Sequence, residues 1–361
     1  MIPPESFRPI GRGAADNPAN RFLNVLAEVD YEQLEFDEEF LRELKRPKTR
    51  YVEDSSKSII SENESPDVPF RYSLNPYRGC LHGCSYCYAR PTHEYYGLSA
   101  GLDFETTIFV KKKAAVLFRD WLGRPKYECE TVMFSGVTDC YQPVERALQL
   151  TRQCLIVAQE ASQPVALITK NSLMTRDIDI LSELASRTLC RVALSINSLD
   201  QSLTRVLEPA CSAPESRLNA VRQLSEAGVP VHVMVAPVIP GLNDSEIPAV
   251  LKAVADAGAK SASYIMVRLP LCVEPLFLDW LKTHRPTMAE KVESRLRGIR
   301  GGELNQAEFG LRMKGSGVMA DQISAMFALH RKRCGLETQL PPLRTDLFRP
   351  PRDSSGQGTL F

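Results

Sequence analysis

Apolar residues recur along this chain in short β-branched or aliphatic runs, separated by longer stretches with an apolar rhythm of three to four residues. The runs at 71–75, 131–135, 165–169, 191–196, 231–238 and 262–269 predict strands. The stretches at 112–122, 143–160, 176–186, 215–227 and 245–257 predict the helices between them. Gly228 and Gly258 follow two of these helices, where a left-handed residue stops the turn. Strands alternating with helices imply a parallel sheet with right-handed crossovers. The six units are too few for a closed eight-unit barrel, which takes roughly 250 residues. The expected fold is α/β: a partial (βα)6 TIM-like barrel over residues 69–270, with its chemistry on loops at the C-terminal ends of strands.

The flanks read differently. Residues 1–68 are polar and predict a partly disordered extension, with a short acidic helix at 35–43 and a Ser- and Glu-rich linker at 54–69. Residues 271–348 predict a helical extension, including a helix at 318–330, that closes the open side of the barrel. Residues 349–361 predict a flexible tail. The 44 basic and 44 acidic side chains cancel, so no overall positive field points to nucleic acid. No apolar run reaches the roughly 20 residues of a membrane span, and the N-terminus lacks the apolar core of a signal peptide. A cytoplasmic location without a membrane partner is expected, where ten cysteines stay reduced.

Three of those cysteines, Cys80, Cys84 and Cys87, lie at Cys-x3-Cys-x2-Cys directly after the first predicted strand, in a loop marked by Gly79 and Gly83. Three closely spaced thiolates suit a four-iron four-sulfur cluster with one iron left open for a substrate or cofactor. Two other readings stand beside it. A structural zinc site would add His82 or His93, and a closed electron-transfer cluster would add one of the scattered cysteines.

The triplet, with Tyr86 before its last cysteine, resembles the signature of the radical S-adenosylmethionine (SAM) superfamily. Thr138-Asp139-x-Tyr141-x-Pro143-x-Glu145 resembles its spore photoproduct lyase-like branch. The resemblance implies that SAM chelates the open iron of the cluster. Reductive cleavage then yields a 5′-deoxyadenosyl radical that abstracts hydrogen from a substrate. It also implies an electron donor such as flavodoxin or ferredoxin. Tyr86 would contact adenine, and Ser135, Thr138 or Asp139 would receive the SAM amino group. Lys170, at the third strand's end, would neutralise the carboxylate. Ser195 and Asn197 suit ribose or carboxylate, Arg217 offers a bidentate carboxylate contact, and Val238 and Ile239 would approach adenine beside Gly241. The plainer alternatives are helix caps for Asp139, Ser195 and Asn197, and solvated surface positions for Lys170 and Arg217.

Cys140 would donate a hydrogen atom to the substrate radical, with Tyr141 as its neighbour; the alternative is an inert small residue. Cys129, Cys154, Cys190, Cys211, Cys272 and Cys334 read as structural. The branch raises DNA as a substrate, with basic clusters at 111–113, 295–300 and 331–333 that would meet phosphates or else form solvated helix faces. RNA, protein and small metabolites compete with DNA. A non-catalytic iron–sulfur or zinc-binding protein is the reading from another class.

Overall fold

The computed structural model describes residues 8–23 and 47–351. In chain order its strands are β1 (Arg50–Glu53), β2 (Ile60–Glu62), β3 (Tyr72–Leu74), β4 (Tyr77–Arg78) and β5 (Thr107–Val110). β6 (Val132–Phe134), β7 (Val165–Thr169), β8 (Cys190–Ser195), β9 (Val231–Val238) and β10 (Ser261–Met266) follow. The main sheet runs β10-β9-β8-β7-β6-β3-β2. β3 and β6 to β10 are parallel, as crossover helices require, and give the six-stranded partial barrel. The strands alternate in burial. Val231, Val233 and Val235 of β9 are fully covered, whereas Met234 and Ala236 between them face a cavity inside the barrel.

Two features depart from the sequence pattern. The linker expected at 54–69 contains β2, which pairs antiparallel with β3 from Ile60↔Leu74 to Glu62↔Tyr72. Three residues are too few for a period of two to show. A second small sheet, β1-β5-β4, brackets the cysteine loop and carries no periodic signature either. Residues 8–23 are likewise seated on the barrel. The Gly13 and Ala14 amides donate to the Glu105 carboxylate at 3.1 and 2.9 Å. The acidic stretch at 35–43 and the tail beyond 351 lie outside the described residues.

The helix predicted at 143–160 is two helices, Glu145–Leu148 and Leu150–Ala161, broken where Gln149 turns left-handed (φ 52°). The cause is Glu145. Its carboxylate accepts the Thr151 amide at 3.1 Å, capping the second helix from one turn upstream. Beyond the barrel, the helix Val318–Arg333 buries Ala320, Ile323 and Phe327, with Phe327 against Tyr264 of β10 at 4.8 Å between rings. No helix among the described residues is long and apolar enough to cross a membrane.

The ends of β8 and β9 are tied by one side chain. Asn243 is buried; its amide donates to the carbonyls of Asn197 (2.8 Å) and Pro237 (3.0 Å), and its oxygen accepts the Ile239 amide (2.7 Å). Asn243→Ala leaves these buried backbone groups unpartnered, at about 1–3 kcal/mol for each group that water does not reach. Urea unfolding should therefore show a clearly lowered midpoint, and an unchanged midpoint would refute the tie.

Candidate cofactor site at the strand ends

The cysteine loop leaves β4 through Gly79, which adopts φ +75°. A Cβ there would lie 2.9 Å from the carbonyl oxygens of Phe104 and Thr107, so the position admits no side chain. Short backbone bonds then coil the loop, from the Gly83 amide to the Cys80 carbonyl (3.3 Å) and from the Cys87 amide to the Cys84 carbonyl (3.2 Å). Beneath it sits Arg90, fully buried. Its Nε and one terminal nitrogen donate to the Cys84 carbonyl, the other terminal nitrogen to the carbonyls of Ala100 and Gly101, and Glu105 closes the set at 2.5 Å.

Cys80, Cys84 and Cys87 line a cavity of about 210 Å³ at the C-terminal ends of the strands. Tyr86, Ser135, Thr138 and Asp139 line it too, as do Lys170 and Ser195. Ser135 holds a left-handed backbone (φ 71°) that disfavours a side chain, and its hydroxyl accepts the Cys140 amide at 2.8 Å. Strain of this kind collects where a wall must be shaped for a ligand.

Asp139 binds three segments together. Its oxygens accept from the Thr169 hydroxyl (2.7 Å) and the Lys170 amide (2.8 Å), and His82 of the cysteine loop lies 3.3 Å away. Burial opposes its charge, but the His82 ring and these donors outweigh burial and hold the carboxyl at about 2. Lys170 lies over the Tyr86 ring at 5.9 Å. Burial works against its charge, yet Cys84, Glu208 and Cys211 raise its pKa above the ordinary lysine value.

Several expected residues are placed elsewhere. Arg217 does not line the cavity: it is buried and committed to Glu208 (2.5 Å), the Ser195 carbonyl (2.9 Å) and the Ser212 carbonyl (2.7 Å). Glu208 in turn accepts the Tyr86 hydroxyl. Arg217 therefore positions the Tyr86 ring, and a free bidentate contact to SAM is not open to it. Val238 and Ile239 are sealed in the core past the cis Ala236–Pro237 bond, and Ala236 and Pro237 face the cavity in their place. Asn197 is off the cavity lining, with its amide nitrogen and oxygen both buried and unpartnered. Cys140 is wholly buried beside Ser135 and Thr151, away from the cavity. Tyr141 is equally buried, its hydroxyl 3.0 Å from Asp177. Neither lines the cavity.

Cys211, read from sequence as structural, has its sulfur 3.8 Å from that of Cys84. This contact holds the Cys84 thiol below its usual pKa against the effect of burial. Its distance in sequence from the triplet hid the pairing; the loop after the helix Gln201–Leu207 brings it there. The geometry lends the zinc reading no support. His93 bonds the Thr107 carbonyl at 2.9 Å, His82 lies 3.3 Å from the Asp139 carboxylate, and no three His, Cys, Asp or Glu side chains converge on one ion among the described residues. Of the basic clusters, Lys112 pairs with Glu53, Arg295 with Asp244, Arg297 with Glu293 and Arg331 with Glu337; Lys111 and Arg300 are buried, and Lys113, Lys332 and Arg333 are exposed.

A family model described as the radical SAM superfamily matches residues 74–254. The chain belongs to the radical SAM superfamily. It is 36% identical over 226 residues to an uncharacterized protein of Mycobacterium tuberculosis, across 62% of this chain and 66% of that protein. It thus spans just under two thirds of that relative's length. It is 28% identical over 199 residues to an uncharacterized protein of Methanocaldococcus jannaschii, across 55% and 71%. Among solved structures it resembles spore photoproduct lyase complexed with dinucleoside spore photoproduct, with a TM-score of 0.56 and 15% identity over 78% of this chain and 79% of that one. At that identity the likeness shows the fold. Radical SAM enzymes carry a four-iron four-sulfur cluster and SAM and need a reductant. The donor set here fits: three thiols on one coiled loop, aimed into a cavity rather than converging on a single ion.

Glu105→Gln removes the counter-charge of Arg90 and leaves a guanidinium buried alone. The expected loss is about 3–5 kcal/mol in denaturant unfolding of the cluster-free chain. The cluster-loaded variant should also surrender iron to a chelator faster than the parent. Unchanged unfolding and iron retention would show that the pair does not hold the loop.

Proposed function

We propose that this radical SAM enzyme binds SAM along the strand ends described above and abstracts hydrogen from a compact substrate admitted at the mouth beside Tyr88 and Val137. The observation that carries this reading is the convergence of the three cysteines with Tyr86, Ser135, Thr138, Lys170 and Ser195, from separate elements, on one cavity. When bound, the cluster and SAM supply a 5′-deoxyadenosyl radical. Cys80, Cys84 and Cys87 hold the cluster, and Lys170 is the cation for the SAM carboxylate. Ser135 and Thr138 serve the amino group; Asp139, whose oxygens already accept the Tyr141 and Lys170 amides and the Thr169 hydroxyl, holds the loop that carries them. The Tyr86 ring, fixed through Glu208 and Arg217, and the Ala236–Pro237 wall flank the adenine. A flavodoxin- or ferredoxin-type donor supplies the electron.

The likeness to spore photoproduct lyase supports a lesion-bearing nucleobase as one such substrate. The basic clusters, several of whose members are buried or paired with carboxylates, lend little support to an extended track along duplex DNA or RNA. A single base turned out of its stack, or a small metabolite, is the kind of compact substrate this reading favours. The hydrogen-donor role expected of Cys140 finds no support in its buried position.

Anaerobic, cluster-loaded protein with SAM and a strong reductant should form 5′-deoxyadenosine. Cys84→Ala should abolish this, and Cys140→Ala should retain it. A fully loaded cluster that leaves SAM uncut, with or without damaged oligonucleotides, would overturn the reading. Loss of cleavage in folded Cys140→Ala would restore a role for that thiol.

A further inference from the structure

Arg268 stands two residues beyond β10, at the rim of the cavity opposite the cysteine loop's own strand, and its side chain lines the cavity. Its guanidinium crosses the open side of the barrel to lie 5.7 Å from the centre of the Tyr88 ring, one residue past Cys87. Among the described residues it makes no ion pair. Its Nε is buried with no hydrogen-bond partner among them, and the one contact its terminal nitrogens make there is the Met313 sulfur at 3.9 Å. The carboxylate that attracts it, Asp67, is already taken, pairing with Arg312 at 2.5 Å and accepting the Gly310 amide at 2.7 Å. Arg300, just behind, spends its terminal nitrogens on the carbonyls of Leu311 and Val267 and adds positive charge.

A partly buried cation without a partner is costly, and folded proteins ordinarily pair such groups. Lys170, the cation assigned to the SAM carboxylate, sits against Tyr86 and near Glu208 and Cys84, on the cysteine side of the same cavity. Arg268 is left for whatever enters at the mouth. A guanidinium with its edge unfilled matches a planar carboxylate or a phosphate through two parallel hydrogen bonds.

We propose that Arg268 anchors an oxyanion of the substrate, phosphate or carboxylate, at the mouth of the cavity, with Tyr88 as the wall beside it. The proposal rests on the reading of the cavity as the SAM site and adds to it the chemical class of the substrate.

The test is titration calorimetry of cluster-loaded protein at fixed ionic strength, with and without SAM. The probes are inorganic phosphate and acetate. The proteins are the parent, Arg268→Gln, Arg268→Lys and, as a control for charge alone, Arg124→Gln on the exposed surface. At least one probe should bind the parent and Arg124→Gln alike. Its affinity should fall about tenfold or more in Arg268→Gln and less in Arg268→Lys, as for loss of a charge-assisted pair. Preference for phosphate or for acetate identifies which oxyanion the substrate carries. Equal affinity in Arg268→Gln, or no binding of either probe to the parent, would overturn the proposal. So would weakened SAM binding in Arg268→Gln with unaltered probe binding, which would assign the residue to the cofactor. Failure of the parent to bind SAM while the Arg268-dependent probe binding persists would instead count against the cofactor reading and leave the anchor standing.

Discussion

Arg90 and Glu105 are opposite charges buried 2.5 Å apart, and the cysteine loop is built around them. The guanidinium reaches carbonyls on both sides of the loop, twice at Cys84, so its planar fork sets the backbone that presents the thiols. The carboxylate's remaining capacity goes to the Gly13 and Ala14 amides, which draws the N-terminal segment onto the outer face of the loop. The approach is so close that a Cβ at Gly13 would fall inside the Gly83 carbonyl. A buried pair of this kind contributes little to stability over an apolar substitute. Its effect is to fix one geometry: three sulfurs facing the cavity before any cofactor arrives.

The same logic repeats deeper in the barrel. Glu208 and Arg217 form a second buried pair at 2.5 Å, which holds the Tyr86 hydroxyl and the Ser195 carbonyl. Asp139 ties the loop after β6 to the end of β7 and to His82. Asn243 ties β8 to β9. Each strand end that contributes a cavity residue is thus held by a polar group that faces away from the cavity or spends its lone pairs on backbone. Lys170 and Arg268, which line the cavity with capacity to spare, are the side chains left to meet ligands.

The barrel was legible in the sequence because β7 to β10 and the helices are long enough to show their periods and because Gly228 and Gly258 punctuate them. β3 and β6, of three residues each, were read from apolar runs in the strand–helix alternation; β2 and the small sheet, equally short, lie outside that alternation. The cysteine triplet announced itself by spacing. Ser135, Lys170 and Ser195 were candidates by their places at strand ends and Tyr86 by the resemblance of the triplet; all four line the cavity. What strand-end logic could not supply is where a side chain points once the strand stops: Cys140, Val238 and Ile239 turn into the core, and Arg217 satisfies Glu208. Cys211 and Arg268 were missed for the converse reason: chain far from the triplet in sequence brings Cys211 against Cys84 and Arg268 to the cavity. The only local hint was Arg268 itself, a charge ending an otherwise apolar strand.

The account turns on three thiolates leaving one iron free for SAM, although a fourth sulfur, Cys211, lies 3.8 Å from Cys84. The most direct measurement is the electron paramagnetic resonance spectrum of the reduced cluster before and after SAM is added, in the parent and in Cys211→Ala. A SAM-induced change of the signal in both proteins, with equal iron content, is the expected result. A spectrum indifferent to SAM in the parent that becomes responsive only in Cys211→Ala would show Cys211 closing the cluster, and would contradict the claim.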